Sequence, residues 1–455
     1  MSSPRPERFQ PPRFGTDGLR GRAGDPPLDP DTLRRVGAAL GLWLQRRGPD
    51  AKRVLLGNDG RDSAPWILDA LAQGLSATEV GSVDVGLTTT PALAYLTRTE
   101  PFVAGIMISA SHNPAEDNGV KVFDANGRKL DDEAERAIER LTSDCAFDPG
   151  AEPRTRIKPE LLDRYVDWLG NRFPSLQLAG ATVVVDAANG GGSELAPHVL
   201  RAFGADVVAV ACEPDGANIN EGCGALHPKS IVATTRESGA VLGICLDGDG
   251  DRCILVDDRG GIHDGDDILA TLAPQMLQAG RLPGATAVAT VMSNLGLRRM
   301  LADCGIRLEM TPVGDRHVAA RMREGGFALG AEQSGHVLID VDGALAGDGL
   351  FAALTILALP GVREHGAASV IRTFERFPQK LVNVRVAHKP PLDQNAAIQA
   401  AVAAIERELG EDGRVVLRYS GTEDLCRVMV EARDASRMER HAASLARIVE
   451  EELRT

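Results

Sequence analysis

Residues 181–210 read ATVVVDAANGGGSELAPHVLRAFGADVVAV. The apolar run Ala181 to Asp186 predicts a strand, and Ala187-Ala-Asn-Gly190 a turn. An amphipathic helix then runs to Phe203, and Ala205 to Val210 predicts a second strand. This β-α-β order is the grammar of an α/β domain. It occurs twice more. Arg53 to Asp59 leads to a helix over Ala64–Leu75 and a strand near Val80–Val85. Thr286 to Val291 leads through Met292-Ser-Asn-Leu-Gly296 to a helix ending at Cys304 and a strand over Ile306–Met310. The copies lie too far apart for a tandem solenoid, so they predict three related α/β domains with mixed sheets.

The tail has a different order. After Pro378 the pattern predicts a strand (Lys380–Val386), a helix (Leu392–Leu409), two strands (Arg414–Tyr419 and Leu425–Ala432) and a last helix (Ala435–Glu451). That is a small α+β domain. Breaks are expected in the Pro- and charge-rich stretch Pro149–Pro159, at the turn Asp258–Gly261 and near Glu375–Pro378. The expected domains are therefore 1–155, 156–257, 258–374 and 375–455.

The composition belongs to an ordinary globular protein: 455 residues, 43% hydrophobic and 25% charged. A net charge of −14 argues against nucleic acid as the main partner. It leaves room for a small phosphorylated ligand held by a local cluster of arginines. Met1 to Arg13 is rich in Pro and Arg and lacks the apolar core of a secretory signal. No run reaches the length a membrane helix needs. The seven cysteines are scattered without a C-x-x-C pair, which reads as reduced thiols in a cytoplasmic protein. Cys245 and Cys253 flank an acidic loop like zinc ligands, but small buried strand residues account for them better.

That loop, Leu246-Asp-Gly-Asp-Gly-Asp-Arg252, follows the apolar strand Ala240–Cys245. Residues two apart in an extended chain point the same way, so Asp247, Asp249 and Asp251 present three carboxylates on one side. Gly248 and Gly250 let the backbone bend around an ion. Carboxylates this close repel one another unless a cation sits among them, and a hard divalent ion with oxygen ligands fits. A calcium EF-hand is excluded. Its sixth and twelfth positions would be Arg252 and Asp258, and a strand stands where the EF-hand has a helix. A D-x-D phosphatase would use an Asp nucleophile, whereas a serine offers itself here.

The serine lies in Gly105-Ile-Met-Ile-Ser-Ala-Ser-His-Asn-Pro114, where an apolar strand runs into Ser111. Ligands of α/β sheets gather at such strand ends. A serine that holds a phosphoryl group needs a cation nearby and a base for its proton. The acidic loop offers the first, and His112 or Lys121 the second. Arg418-Tyr-Ser-Gly-Thr422 offers a guanidinium, two hydroxyls and backbone N–H groups to a phosphate. Gly330-Ala-Glu-Gln-Ser-Gly-His336 offers a carboxylate, a hydroxyl and an imidazole to a sugar. Phe14-Gly-Thr-Asp-Gly-Leu-Arg-Gly21 sets an Arg in a Gly-rich turn. Together these segments predict one cleft lined by four domains.

With these motifs in order, from Phe14 to about Glu431, the sequence resembles the α-D-phosphohexomutases. Phe14-Gly-Thr-Asp-Gly18, Ser109-Ala-Ser111 and Gln333 before Ser-Gly-His look like the phosphoglucosamine mutase branch. The resemblance implies a four-domain heart shape around a central cleft. It implies that Ser111 becomes a phosphoserine and ligates one Mg2+ per subunit beside Asp247, Asp249 and Asp251. Arg20, His112, Lys121 and Arg252 would surround the transferring phosphoryl group. Glu332, Ser334 and His336 would read the sugar. Arg418, Ser420, Gly421, Thr422 and Arg427 would hold the phosphate that is not reacting.

The implied reaction interconverts glucosamine 6-phosphate and glucosamine 1-phosphate through a sugar bisphosphate, which is both intermediate and activator. It would feed amino-sugar nucleotide and cell-wall precursor synthesis. A phosphomannomutase, a phosphoglucomutase and a catalytically silent sugar-phosphate binder are the rivals. The base stays open among His336, His112 and Lys121, and so does the oligomeric state, a homodimer included. Three positions depart from the family pattern: Gly60 and Ala346 stand where Thr is common, and Asp424 where Pro is usual.

Overall fold

The structure, a computed structural model, describes residues 11–15, 17–48, 53–144, 152–341, 347–420 and 424–454. They fall into two compact units. One is drawn from the chain up to Gly265 together with Ser334–Ile371, the other from Asp266–Gln333 together with the chain from Arg372 onward.

The first unit holds two sheets. The first has strands β1 (Leu19–Arg22), β2 (Arg53–Asn58), β3 (Gly81–Leu87), β4 (Ala104–Ile108), β5 (Asp117–Asp124) and β6 (Thr155–Ile157). Their order is β1-β5-β4-β2-β3-β6. β4, β2, β3 and β6 run parallel, and β5 pairs antiparallel with both β4 and β1. Alternate residues feed two cores. Val54, Leu56, Ile106 and Ile108 pack with the helices Pro30–Gln45 and Ala64–Ala77, while Leu55 and Met107 pack with the helix Thr90–Thr99. Both faces being covered, β4 (Ala-Gly-Ile-Met-Ile) carries no polar side chain at all.

The second sheet has β7 (Thr182–Asp186), β8 (Asp206–Val210), β9 (Leu242–Leu246), β10 (Cys253–Asp257) and β11 (Ile262–His263), in the order β11-β10-β9-β7-β8. β9, β7 and β8 are parallel, and β10 pairs antiparallel with both β9 and β11. The quoted segment is therefore β7, the helix Leu195–Ala202 and β8, within a residue or so of the expected bounds except where the helix starts. Asp258–Gly261, expected as a break, is the hairpin turn between β10 and β11. The Asp257 carboxylate closes it, accepting from the N–H groups of Arg259 and Gly261 at 2.8 Å each. Cys245 and Cys253 are buried on β9 and β10, and burial pushes both thiols up.

In the second unit β12 (Thr286–Thr290), β13 (Arg307–Thr311) and β14 (Leu329–Ala331) run parallel with β12 between the others. The short β15 (Val337–Ile339) belongs to the first unit, where Leu338 bridges to Gly347. The chain ends in an antiparallel sheet, β16 (Gln379–Arg385), β18 (Leu425–Ala432) and β17 (Gly413–Tyr419), in that spatial order. The helices Ala396–Leu409 and Ala435–Leu453 lay Ile398, Ile405, Leu445 and Val449 against Val428 and Val430. This is the α+β arrangement expected of the tail. Among the described residues no helix is long and apolar enough to cross a membrane.

Candidate active site and metal centre

Parallel sheets place ligands beyond the C-terminal ends of their strands. In the first unit β3, β4, β7 and β9 end at Leu87, Ile108, Asp186 and Leu246. The loops that leave these ends meet. Thr90 N–H donates to the Asp249 carbonyl at 2.8 Å, and Gly191 N–H donates to the Gly248 carbonyl at 2.8 Å. Ser111 Oγ donates to Asp247 Oδ2 at 2.7 Å.

Asp247, Asp249 and Asp251 are all buried, and one carboxylate oxygen of each lies within 4.8 Å of the others. Among the described residues they are the one such group of His, Cys or acidic side chains. Burial, with the charges of Asp251 and Asp249, pushes the Asp247 carboxyl up to about 7. Burial opposes ionisation of Asp251 as well, but Lys121, His336 and Arg252 outweigh it and hold that carboxyl well below the usual range. Among the described residues the buried Oδ1 of Asp249 has no hydrogen-bond partner. Three crowded oxygen donors, one of them an orphan, fit a hard divalent cation and would be costly without one.

The two loop glycines serve different ends. Gly250 turns the chain at φ +70°, in the left-handed region. Gly248 permits close approach, since a Cβ there would lie 2.5 Å from the Ser111 carbonyl oxygen and 3.0 Å from Asn220 Nδ2. Gly248→Ala should therefore push the acidic loop away from the serine. We expect a destabilisation of about 1–3 kcal/mol from overpacking, with a weaker response of the melting temperature to Mg2+. A variant with wild-type melting and an undiminished Mg2+ response would contradict the close approach.

Several other first-unit candidates lie close to Ser111 or the carboxylates. His112 Nδ1 lies 3.3 Å from Ser111 Oγ. Burial, then Arg252 and Arg20, push this imidazole down to about 4. Lys121 reaches up from β5 and pairs with Asp249 at 2.5 Å and Asp251 at 3.5 Å. Burial alone would depress its ammonium, but these carboxylates outweigh it and raise it. Arg252 Nε stands 3.7 Å from Asp247 Oδ2, and His336 Nδ1 stands 3.5 Å from Asp251 Oδ1. Ser334 belongs to the same unit, and the next residue, Gly335, accepts the Cys253 N–H at 2.9 Å. Arg20, on β1, donates to Asn113 Oδ1 at 3.4 Å and pairs with Asp17 at 3.2 Å, while Lys129 pairs with Asp17 at 2.8 Å. Asp17 was not singled out from the sequence, although it stands inside the motif that carries Arg20. Thr90, whose hydroxyl donates to Asp249 Oδ2, was also missed, because one Thr among three gives no signal.

The second unit carries the remaining candidates. Arg418 on β17 stands directly across from Arg427 on β18. Like charges in register are unfavourable, so the pair marks a place for an anion. Burial, then Arg427, lower the Arg418 guanidinium against a smaller opposing effect of Glu332, and Arg418 Nε is buried with no hydrogen-bond partner among the described residues. Arg427 Nη2 donates to the buried Ser420 Oγ at 3.4 Å. Glu332 Oε1 accepts the Gly314 N–H at 2.9 Å. Gly421, Thr422 and Ala346 lie outside the described residues.

Comparison with known proteins covers nearly the whole length of the chain. Models of all four domains of the phosphoglucomutase/phosphomannomutase family match the chain: alpha/beta/alpha domain I over residues 11–148, domain II over 163–261, domain III over 264–377 and the C-terminal domain over 381–448. The chain is 48% identical over 429 residues to a phosphoglucosamine mutase of Jannaschia sp. (strain CCS1), an alignment covering 93% of this chain and 96% of that one. A solved phosphoglucomutase/phosphomannomutase family protein from Burkholderia thailandensis shares the fold with a TM-score of 0.79 at 24% identity, over 96% of this chain and 97% of that one. An Aspergillus fumigatus N-acetylphosphoglucosamine mutase, solved with GlcNAc-6P and magnesium, does so at 0.65 and 20% identity, over 96% of this chain and 95% of that one. Four matched domains in unbroken order, and a relative almost half identical along nearly the whole length, mean that this chain belongs to the phosphoglucomutase/phosphomannomutase family.

Proposed function

We propose that this chain is an isomerase that interconverts glucosamine 6-phosphate and glucosamine 1-phosphate through a phosphoserine at Ser111. The observation that carries the reading is the contact of Ser111 Oγ with Asp247 at 2.7 Å, which seats a nucleophile on a cation-binding triad. The choice of sugar follows the relatives, several of which are named phosphoglucosamine mutase at 43–48% identity. The test is to offer glucosamine, glucose and mannose 6-phosphates, each with a trace of its 1,6-bisphosphate. Glucosamine 6-phosphate should have the highest kcat/KM. A clear preference for either neutral sugar would move the chain to another branch of its family.

The two sugar oxygens stand at opposite ends of the ring, so a carrier is needed between them. The free sugar hydroxyl attacks the phosphorus on Ser111. A bond forms to the sugar oxygen, the bond to Ser111 Oγ breaks, and the hydroxyl proton passes to a base while Oγ takes up a proton. The bisphosphate turns over, Ser111 Oγ bonds to the other phosphorus as its own proton leaves, the bond from that phosphorus to the sugar oxygen breaks, and that oxygen takes up a proton. Such transfers need placement and charge neutralisation above all. Mg2+, held by Asp247, Asp249, Asp251 and the Ser111 side chain, supplies part of that neutralisation when bound. Lys121, Arg20 and Arg252 supply the rest as fixed cations.

Among the three candidate bases, Lys121 is a committed cation between Asp249 and Asp251. His112 is neutral near pH 7 and stands 3.3 Å from Ser111 Oγ, so it is the group we assign to accept that proton. Glu332, Ser334 and His336 are proposed to read the sugar, and Arg418, Ser420, Gly421, Thr422 and Arg427 to hold the phosphate that is not reacting. That contact serves ground and transition states alike, so Arg418→Ala should raise KM with little change in kcat. A charge-assisted contact of about 1.5–3 kcal/mol corresponds to roughly a 10–150-fold rise. Steady-state kinetics beside a melting curve decides the matter. A lower melting temperature with an unchanged KM would reduce Arg418 to a structural role.

A further inference from the structure

β2 runs into Asn58-Asp-Gly-Arg61, and Arg61 is 1% exposed, among the largest fully buried side chains. A guanidinium has five N–H donors, and here all five are taken. Nε donates to Asp59 Oδ2 at 3.0 Å. Nη1 donates to the carbonyl oxygens of Pro114 and, at 2.9 Å, of Asp117. Nη2 donates to the carbonyls of Ser111 and Asn113 at 3.0 Å each. Three of these carbonyls belong to the turn that carries the serine, and the fourth is that of Asp117, where β5 begins.

A second residue grips the same turn from the irregular loop that follows β8. Asn220 Nδ2 donates to the Ser111 carbonyl at 2.9 Å and to the Asn113 carbonyl at 3.1 Å. Its own N–H is fixed to the Ala188 carbonyl at 2.9 Å, beside the loop that leaves β7. Ser111 meanwhile sits at φ +53°, a conformation that residues with a Cβ avoid. Such a conformation persists only where its surroundings impose it. Here the Ser111 carbonyl accepts from two side chains, and its N–H donates to Ser109 Oγ at 2.8 Å. No part of the serine's backbone is left to choose another shape.

We propose that Arg61 and Asn220 are positioning residues for the phosphoryl carrier. They clamp the Ser111 carbonyl from two loops, hold the residue in its left-handed turn and so aim Oγ at Asp247. The proposal rests on the reading of Ser111 as carrier. Neither residue touches the reacting atoms. The planar fork of an arginine spans four carbonyls as the point charge of a lysine does not.

The test uses Asn220→Ala, Asn220→Asp and Arg61→Lys in the full chain. Each is measured for kcat, KM and amide hydrogen exchange of residues 109–117. Asn220→Ala should lower kcat by about 10–100-fold, because small misplacements of reacting groups are costly, while KM stays within about twofold. Asn220→Asp should fall below Ala, since it turns a carboxylate toward two carbonyl oxygens. Exchange across 109–117 should quicken in both. Arg61→Lys should lower kcat further. If it fails to fold, the two Asn220 variants still decide. Wild-type kcat in Asn220→Ala, or unchanged exchange across 109–117, overturns the clamp. A wild-type enzyme inactive on all three hexose phosphates would instead overturn the carrier reading, and the exchange comparison would still settle the clamp.

Discussion

Ser111→Ala protein is expected to bind glucosamine 6-phosphate about as well as wild type and to turn it over about 10⁴-fold more slowly or worse, as losses of a covalent nucleophile do elsewhere. The cause is specific. The substitution removes the one oxygen that lies 2.7 Å from Asp247 and 3.3 Å from His112. The two described hydroxyls nearby are engaged elsewhere, Ser109 Oγ by the Ser111 N–H and the Thr90 hydroxyl by Asp249. Intact-mass measurement after incubation with glucosamine 1,6-bisphosphate should show one added phosphoryl group on wild type and none on the variant. A variant that still gains the mass, or keeps even a tenth of wild-type kcat, would remove Ser111 from the mechanism. Ser111→Gly separates chemistry from strain. It should be equally inactive. The left-handed φ of +53° costs a residue with a Cβ about 1–2 kcal/mol, and the extra freedom of unfolded Gly returns roughly 0.4–1 of that. Ser111→Gly should thus melt at or slightly above Ser111→Ala.

The same turn shows what a sequence displays and what it hides. β4 and the Asp247–Asp251 loop were legible, because a strand buried on both faces cannot carry polar residues and an acidic run at its end has few other uses. The β-α-β units were legible for the same reason, and their ends fell within a few residues of the expected ones. Arg61 was not. A charged residue after Asp-Gly in a turn reads as solvated, and only the packing of Asp117, Pro114, Asn113 and Ser111 around it reveals five satisfied donors. Gly60, noted for departing from the family pattern, stands beside it without filling any of those contacts. Asn220 was hidden differently. It lies 109 positions from Ser111, and no periodic pattern links an irregular loop to a strand end so far away. Gly248 was seen as a glycine but credited with bending. Its value is the missing Cβ, which is a fact about the backbone of the serine's turn and not about its own.

Removing one charge from the triad should be the second large effect. Asp249→Asn is expected to weaken Mg2+ binding by about 10²-fold or more and to lower activity in proportion at limiting metal. The carboxylate it alters pairs with Lys121 at 2.5 Å, accepts from Thr90 and carries the orphaned Oδ1. Proton linkage makes the expectation sharper. Without a cation, burial and the charges of Asp251 and Asp249 push Asp247 up to about 7. A cation binds the ionised form, so below about pH 7 it must displace a proton, and above that pH it need not. Apparent Mg2+ affinity should be level at higher pH and fall toward tenfold per unit as pH drops below about 7. For the same reason, chelator should lower the melting temperature more at pH 8 than at pH 6. Calorimetric titration at pH 6.5, in two buffers of different ionisation enthalpy, should show net proton release on binding. In Asp249→Asn the repulsion on Asp247 is smaller, its carboxyl ionises at lower pH, and the release should shrink. An affinity that stays flat from pH 6 to 8, with no proton released, would mean that Asp247 is ionised without the metal. Lys121 and Arg252 would then neutralise the triad by themselves.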